Sequence, residues 1–192
     1  MSNWKADDGS LINFEVHGNG DEVLLLLPGM LGSIGAQWRQ FIPPLEKHFR
    51  IILVDLRGHG MSDNNANELR PEQMVQDIVG LLNSLSVNRF HVAGYSIGGY
   101  LGLMLALNQP HRVQTLLMHA TKFYWTQETI EQMKDQLDPD VLIEKVPGYA
   151  NQLAQEHGGG RWRTLVRQTA DFVGYLTKSG ITEGMVSRAQ LP

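Results

Sequence analysis

Four short apolar runs punctuate the first 120 residues, "EVLLLLPG", "RIILVDLRG", "RFHVAGY" and "VQTLLMHA". A strand that is apolar without alternation has no face to give to water, so it must be covered on both sides. Between these runs lie helical patterns. Ala36–Phe49 reads as one helix bent at Pro43-Pro44. "PEQMVQDIVGLLNSL" is amphipathic, with Pro71 suited to a first turn, and "SIGGYLGLMLALNQP" is stopped by Pro110. Strand and helix in this rhythm specify an α/β fold with a mainly parallel sheet and flanking helices. Upstream, "SLINFEVHG" alternates and follows the turn signal "DDG", so it forms half of an early hairpin.

After Ala120 the rhythm stops. The stretch from Lys122 to Leu176 contains no buried-strand pattern and reads as several helices, broken at Pro139, Pro147 and Gly158-Gly159-Gly160. We therefore divide the chain into a core over residues 1–122 and a helical region over 123–192. A chain of 192 residues with 42% hydrophobic content is enough for one sizeable core with a small appendage. Twenty acidic against sixteen basic residues, a net charge of −4, argue against nucleic acid or an anionic membrane as the main partner. The absence of cysteine excludes disulfides and thiolate metal sites. The N-terminal "MSNWKADDGS" lacks a signal-peptide pattern, and apolar runs such as Val23–Leu27 are far too short to span a bilayer. The expectation is a soluble, cytoplasmic protein.

One serine stands out. In "GYSIG", Gly94 and Gly98 flank Ser96 where a strand ends and a helix begins. In that context Gly-x-Ser-x-Gly makes a sharp turn that lifts the hydroxyl out at the carboxyl end of the sheet. The following helix aims its free N–H groups at the same place, where an oxyanion would develop. The backbone N–H of Ile97 is then half of an oxyanion hole. The loop in "LLLLPGMLGS" supplies the other half, through the N–H of Met30. The plainer alternative is a serine in an ordinary strand-to-helix turn.

The motifs "LLLLPGMLGS", "VDLRGHGMS" and "GYSIGG", in this order, resemble the α/β-hydrolase superfamily. The resemblance covers about residues 10–120, and the helical stretch beyond looks like that family's cap or lid. Many members carry His-Gly where this chain has Pro28-Gly29. The resemblance implies a cofactor-free serine hydrolase of an ester-like small molecule, in which Ser96 forms an acyl-enzyme that water resolves. Acyl transfer and carbon–carbon bond hydrolysis use the same elbow. A non-catalytic binding or interaction module on a hydrolase scaffold is the reading from a different class.

A serine nucleophile needs a base, normally a histidine oriented by a carboxylate. The resemblance implies that the acid follows the next core strand after the cap, and the histidine the last one. A Leu-Pro-like segment such as the one closing "SRAQLP" leads into that next strand. Neither loop occurs within these 192 residues, so no triad acid or histidine is assigned. His119, at the end of the fourth apolar run, is the best-placed substitute base, with a packed or pocket-lining role as the alternative. His157, before the three glycines, reads as a solvated loop residue, and His59 in "RGHG" as a loop-stabilising one. Asp55 reads as a cap or partner within its own loop, Asp77 as part of an amphipathic helix face. No histidine shows metal-ligand spacing, so no metal is expected. Tyr95, His119, Tyr124 and Trp125 are the candidate pocket residues, although Trp125 can equally anchor the helical region. Arg163 and Arg167 share a helix face, which either meets an anionic substrate or stands in solvent. Finally, "VQTLLM" would form a sheet edge without a neighbour. The expectation is poor solubility, self-association or a second chain that supplies the rest.

Overall fold

The structure, a computed structural model, describes residues 2–179, 181–187 and 189. The terminal Leu-Pro segment lies outside the described residues. The N-terminal hairpin forms as its alternation demands. Strands β1 (Ser2–Lys5) and β2 (Leu11–His17) pair antiparallel around the "DDG" turn. The apolar runs become β3 (Glu22–Leu27), β4 (Phe49–Val54), β5 (Phe90–Tyr95) and β6 (Val113–His119). The sheet order is β1-β2-β4-β3-β5-β6, with β4, β3, β5 and β6 mutually parallel. β2 joins β4 antiparallel.

Alternate residues of the central strands serve different cores, which is why these runs are continuous. Leu25, Leu27, Ile52, Val54 and Val92 join the larger cluster, with helices α2 (Pro71–Ser84) and α3 (Ile97–Asn108). Leu24, Leu26, Ile51 and Leu53 face the other way, against Ile34 and Ile42. The larger cluster continues through α3 into the helices after β6. These are α4 (Gln127–Gln136), α5 (Pro139–Lys145), α6 (Pro147–His157), α7 (Arg161–Ser179) and α8 (Glu183–Val186). Leu142, Leu153, Trp162, Leu165 and Phe172 belong to the same cluster as the sheet residues. The helix α3 is thus clasped between sheet and helical region, and accordingly it is buried nearly all round.

One expectation is corrected. Ala36–Phe49 is not a single bent helix. A π-turn at Ile34–Trp38, capped by Ser33, runs into a 3-10 turn at Arg39–Phe41 and then into α1 (Ile42–Leu45). Pro43 and Pro44 have no N–H to donate to carbonyls of the preceding turn, so they stand in the first turn of a new short helix rather than inside a continuous one. The chain is already in β4 at Phe49.

Candidate active site

Ser96 joins β5 to α3 with φ 53° and ψ −116°, a backbone conformation that an L-residue adopts at a cost on the order of 1–3 kcal/mol. Four hydrogen bonds hold it there. Its N–H donates to the His119 carbonyl at 2.8 Å, and its own carbonyl accepts from Gly99 N, Tyr100 N and Thr121 Oγ1 at 3.1, 3.3 and 3.1 Å. The flanking glycines are a steric requirement. A Cβ on Gly94 would lie 2.3 Å from the Gly98 carbonyl, and one on Gly98 would lie 2.2 Å from the Leu27 carbonyl oxygen. Strand β5, the start of α3 and the end of β3 therefore meet at backbone distance around Ser96.

The loop after β3 is fixed with equal care. Gly29 N donates to Gln37 Oε1 at 2.7 Å, and Gly32 N closes a turn on the Gly29 carbonyl at 3.0 Å. Leu31 takes a left-handed φ of 57°. Its carbonyl accepts from His157 Nε2 at 3.1 Å. His157 Nδ1 accepts from Gly60 N at 2.7 Å, so the ring proton sits on Nε2. The imidazole is fully buried at the end of α6, and burial pushes its pKa down. This corrects the expectation of a solvated loop residue. The three glycines follow a helix end pressed into the core, where Ser33 Oγ also meets Glu156 Oε2 at 3.0 Å and Arg161 reaches the Gly60 carbonyl at 2.8 Å. The signal that locates His157 is its spacing from Ala150 and Leu153, the other buried positions of α6.

Other polar residues of the first half are structural. The Asp55 carboxylate accepts from Ile34 N, Asn13 Nδ2 and Met61 N at 2.8, 2.8 and 3.0 Å, which ties β2, the π-turn and the loop after β4 together. His59 donates Nδ1–H to the Arg57 carbonyl at 2.9 Å, as its loop-stabilising reading requires. Its ring lies edge-on to His157 at 6.0 Å, and burial pushes its pKa down to about 4. Asp77 lies on the core-facing side of the amphipathic α2. It is buried and grips the buried Arg57 guanidinium through both oxygens at 2.7 and 2.8 Å. A buried guanidinium requires such a partner.

A cavity of about 210 Å³ opens at Ser96. Met30 and Ile97 line it from the core, and Trp125, Met133, Leu137, Phe172 and Leu176 line it from the helical region. Lys122 is the charged member of the lining. Neither Met30 N–H nor Ile97 N–H has a hydrogen-bond partner among the described residues. Of the other candidate pocket residues, Trp125 lies in the lining, whereas Tyr95, His119 and Tyr124 do not. Tyr95 and His119 are register partners whose rings pack at 5.7 Å on the opposite face of the sheet, in a groove with Trp38, Phe41 and Leu117. Tyr124 is 62% exposed, with its hydroxyl 3.1 Å from Glu183. Arg163 pairs with Asp140 at 3.0 Å in solvent, and neither it nor Arg167 lines the cavity. Among the described residues no histidine lines this cavity, and no group of three or more histidine or acidic side chains is gathered to hold a metal ion. Among them, too, no helix is long and apolar enough to cross a membrane.

A six-stranded, mostly parallel sheet with a strained serine between its third parallel strand and a buried helix defines a class of protein. The chain belongs to the alpha/beta hydrolase fold family, whose model matches residues 22–166. Among curated relatives it is 36% identical over 101 residues to the "Putative carbamate hydrolase RutD" of Pantoea ananatis, covering 52% of this chain and 37% of that protein. It is 29% identical over 110 residues to the 3-oxoadipate enol-lactonase 2 of Acinetobacter baylyi, covering 57% of this chain and 41% of that one. The chain thus spans well under half the length of these two relatives. The solved structure of 2-hydroxy-6-oxo-6-phenylhexa-2,4-dienoate hydrolase from Rhodococcus sp. strain RHA1 superposes with a TM-score of 0.79 at 18% identity, covering 99% of this chain and 78% of that one. At that identity the likeness is one of fold.

Proposed function

We propose that the chain carries the nucleophile and the oxyanion-binding half of a serine hydrolase that cleaves a small ester-like substrate. The observation that carries this reading is the strained Ser96, which opens onto a cavity shared with Met30 and Ile97. Ser96 Oγ attacks the substrate carbonyl. The N–H groups of Met30 and Ile97 receive the oxyanion at the N-terminus of α3, where the helix dipole favours negative charge. The leaving group departs protonated, and water resolves the acyl-enzyme without a cofactor. The helices after β6 act as the cap that closes the cavity against water, in the cytoplasm.

The general base lies outside the described residues. His119 contributes its carbonyl to the elbow while its ring packs on Tyr95, and His157 has both nitrogens engaged. We assign the base and its carboxylate partner to further chain or to a second chain. The open edge of β6 is where we place that chain, because its apolar residues Leu117 and Met118 are exposed. Light scattering after gel filtration tests this. A larger assembly or a longer chain supports it, and a clean monomer of 21.5 kDa counts against it.

Hydrolysis of p-nitrophenyl esters of short acids, in the protein and in Ser96→Ala, tests the reaction. Loss of turnover with the substitution supports it. Turnover that survives Ser96→Ala would remove the nucleophile from this serine. Ligand binding without turnover would favour a binding module on the same scaffold.

A further inference from the structure

The cavity at Ser96 has an apolar wall and a cationic mouth, and the two are held in register with the elbow. The chain leaves β6 through Ala120 in a left-handed conformation, φ 53°. Thr121 then donates its hydroxyl to the Ser96 carbonyl at 3.1 Å. Lys122 is therefore tethered beside the elbow by its neighbour. Its ammonium stands 4.9 Å from the centre of the Trp125 ring, within cation–π range. The Trp125 ring lines the cavity, while its indole N–H is buried in the packing with no partner among the described residues. Of the side chains that line the cavity Lys122 is the charged one, so it is the group placed to meet an anionic part of a ligand.

The lining from the helical region also includes Met133, Leu137, Phe172 and Leu176, which offer nothing to a polar chain. The volume of about 210 Å³ is small for a ligand site, which limits the acyl group to a short one. We propose that the site takes short esters whose acyl or alcohol part carries a carboxylate, with Lys122 as the anion subsite. The inference rests on the hydrolase reading above and deepens it. Lys122 is a specificity residue here, since it meets the substrate's charge and not the reacting carbonyl.

The test uses the Ser96→Ala protein, which holds esters uncut, and calorimetric titration with monomethyl glutarate and dimethyl glutarate. These ligands differ in one negative charge at nearly constant shape. The expected result is about tenfold tighter binding of the monoester, the size of one charge-assisted hydrogen bond. Adding Lys122→Met, which keeps the length and apolar stem, should erase that preference while leaving the diester unchanged, and Lys122→Arg should retain it. Equal affinities, a preference that survives Lys122→Met, or no binding of either ester would each overturn the proposal. Covalent labelling of the native serine by a fluorophosphonate separates the two ideas. Labelling without the charge preference sinks only the anion subsite. The charge preference without labelling sinks only the hydrolase reading.

Discussion

The two faces of the β5–β6 pair differ sharply although the strands are the same. On one face, Val92 is buried and Leu116 packs against α3 so closely that a Cβ on Gly102 would sit 2.7 Å from its methyl. On the other face, Tyr95, Leu117 and His119 line an open groove, and Leu117 is 61% exposed. Ser96 emerges on the covered side, where the loop after β3, α3 and the helical region close around it. The contrast teaches that one face of the strand pair is closed by this chain's own loop after β3, α3 and helical region, while the other is left open by them. Among the described residues β6 has no strand neighbour on its outer side, and that edge is where we place the proposed base-bearing chain.

The largest test of the closed face is Gly98→Ala. Its Cβ would meet the Leu27 carbonyl oxygen at 2.2 Å, backbone against backbone, with no side chain to move aside. We expect a loss of at least ~4 kcal/mol or failure to fold, read by urea unfolding. His157→Ala comes next. It strips Gly60 N and the Leu31 carbonyl of their buried partner, at a cost of about 2–4 kcal/mol. It also frees the loop that bears Met30, so fluorophosphonate labelling should slow more than overall unfolding explains. Leu117→Ala on the open face should do neither.

Acid should loosen the same region. The folded pKa of His59 is about 4, below the value of about 6.5 for an unfolded histidine. As pH falls, the unfolded chain takes up the proton first. The stability is therefore full above about pH 6.5 and declines from there to about 4, by on the order of 3 kcal/mol. The pKa of His157 is lowered by burial too, and it adds to the loss in the same direction. His59→Asn keeps a donor for the Arg57 carbonyl and removes the titration, so its urea midpoint should change less between pH 7 and pH 5. The smallest effects compare the two faces directly. Val92→Ala should cost about 2 kcal/mol and Leu117→Ala under about 0.5 kcal/mol. Equal costs would mean that the open face is covered in solution.

The strands and the elbow were legible because each rests on local rules. Continuous apolar runs specify doubly covered strands, and glycines around Ser96 specify a turn without Cβ atoms. The segment after β3 departs from its helical pattern because two prolines interrupt it and packing on the sheet, not propensity, decides its shape. His157 escaped for another reason. Its partners lie 97 and 126 residues away in the chain, and the three glycines beside it imitate a loop. Asp77 shows the same limit, since its burial follows from Arg57, 20 residues distant. The cavity itself is built from the loop after β3, α3 and the helices beyond β6, and no local pattern announces which of their side chains face inward.

The most direct measurement of the central claim is the intact mass of the protein, isolated in its native assembly, before and after a fluorophosphonate. We expect one adduct on the Ser96-bearing chain, absent from Ser96→Ala and much slower to form in His157→Ala. No adduct on the native assembly, or an adduct that persists in Ser96→Ala, would contradict it.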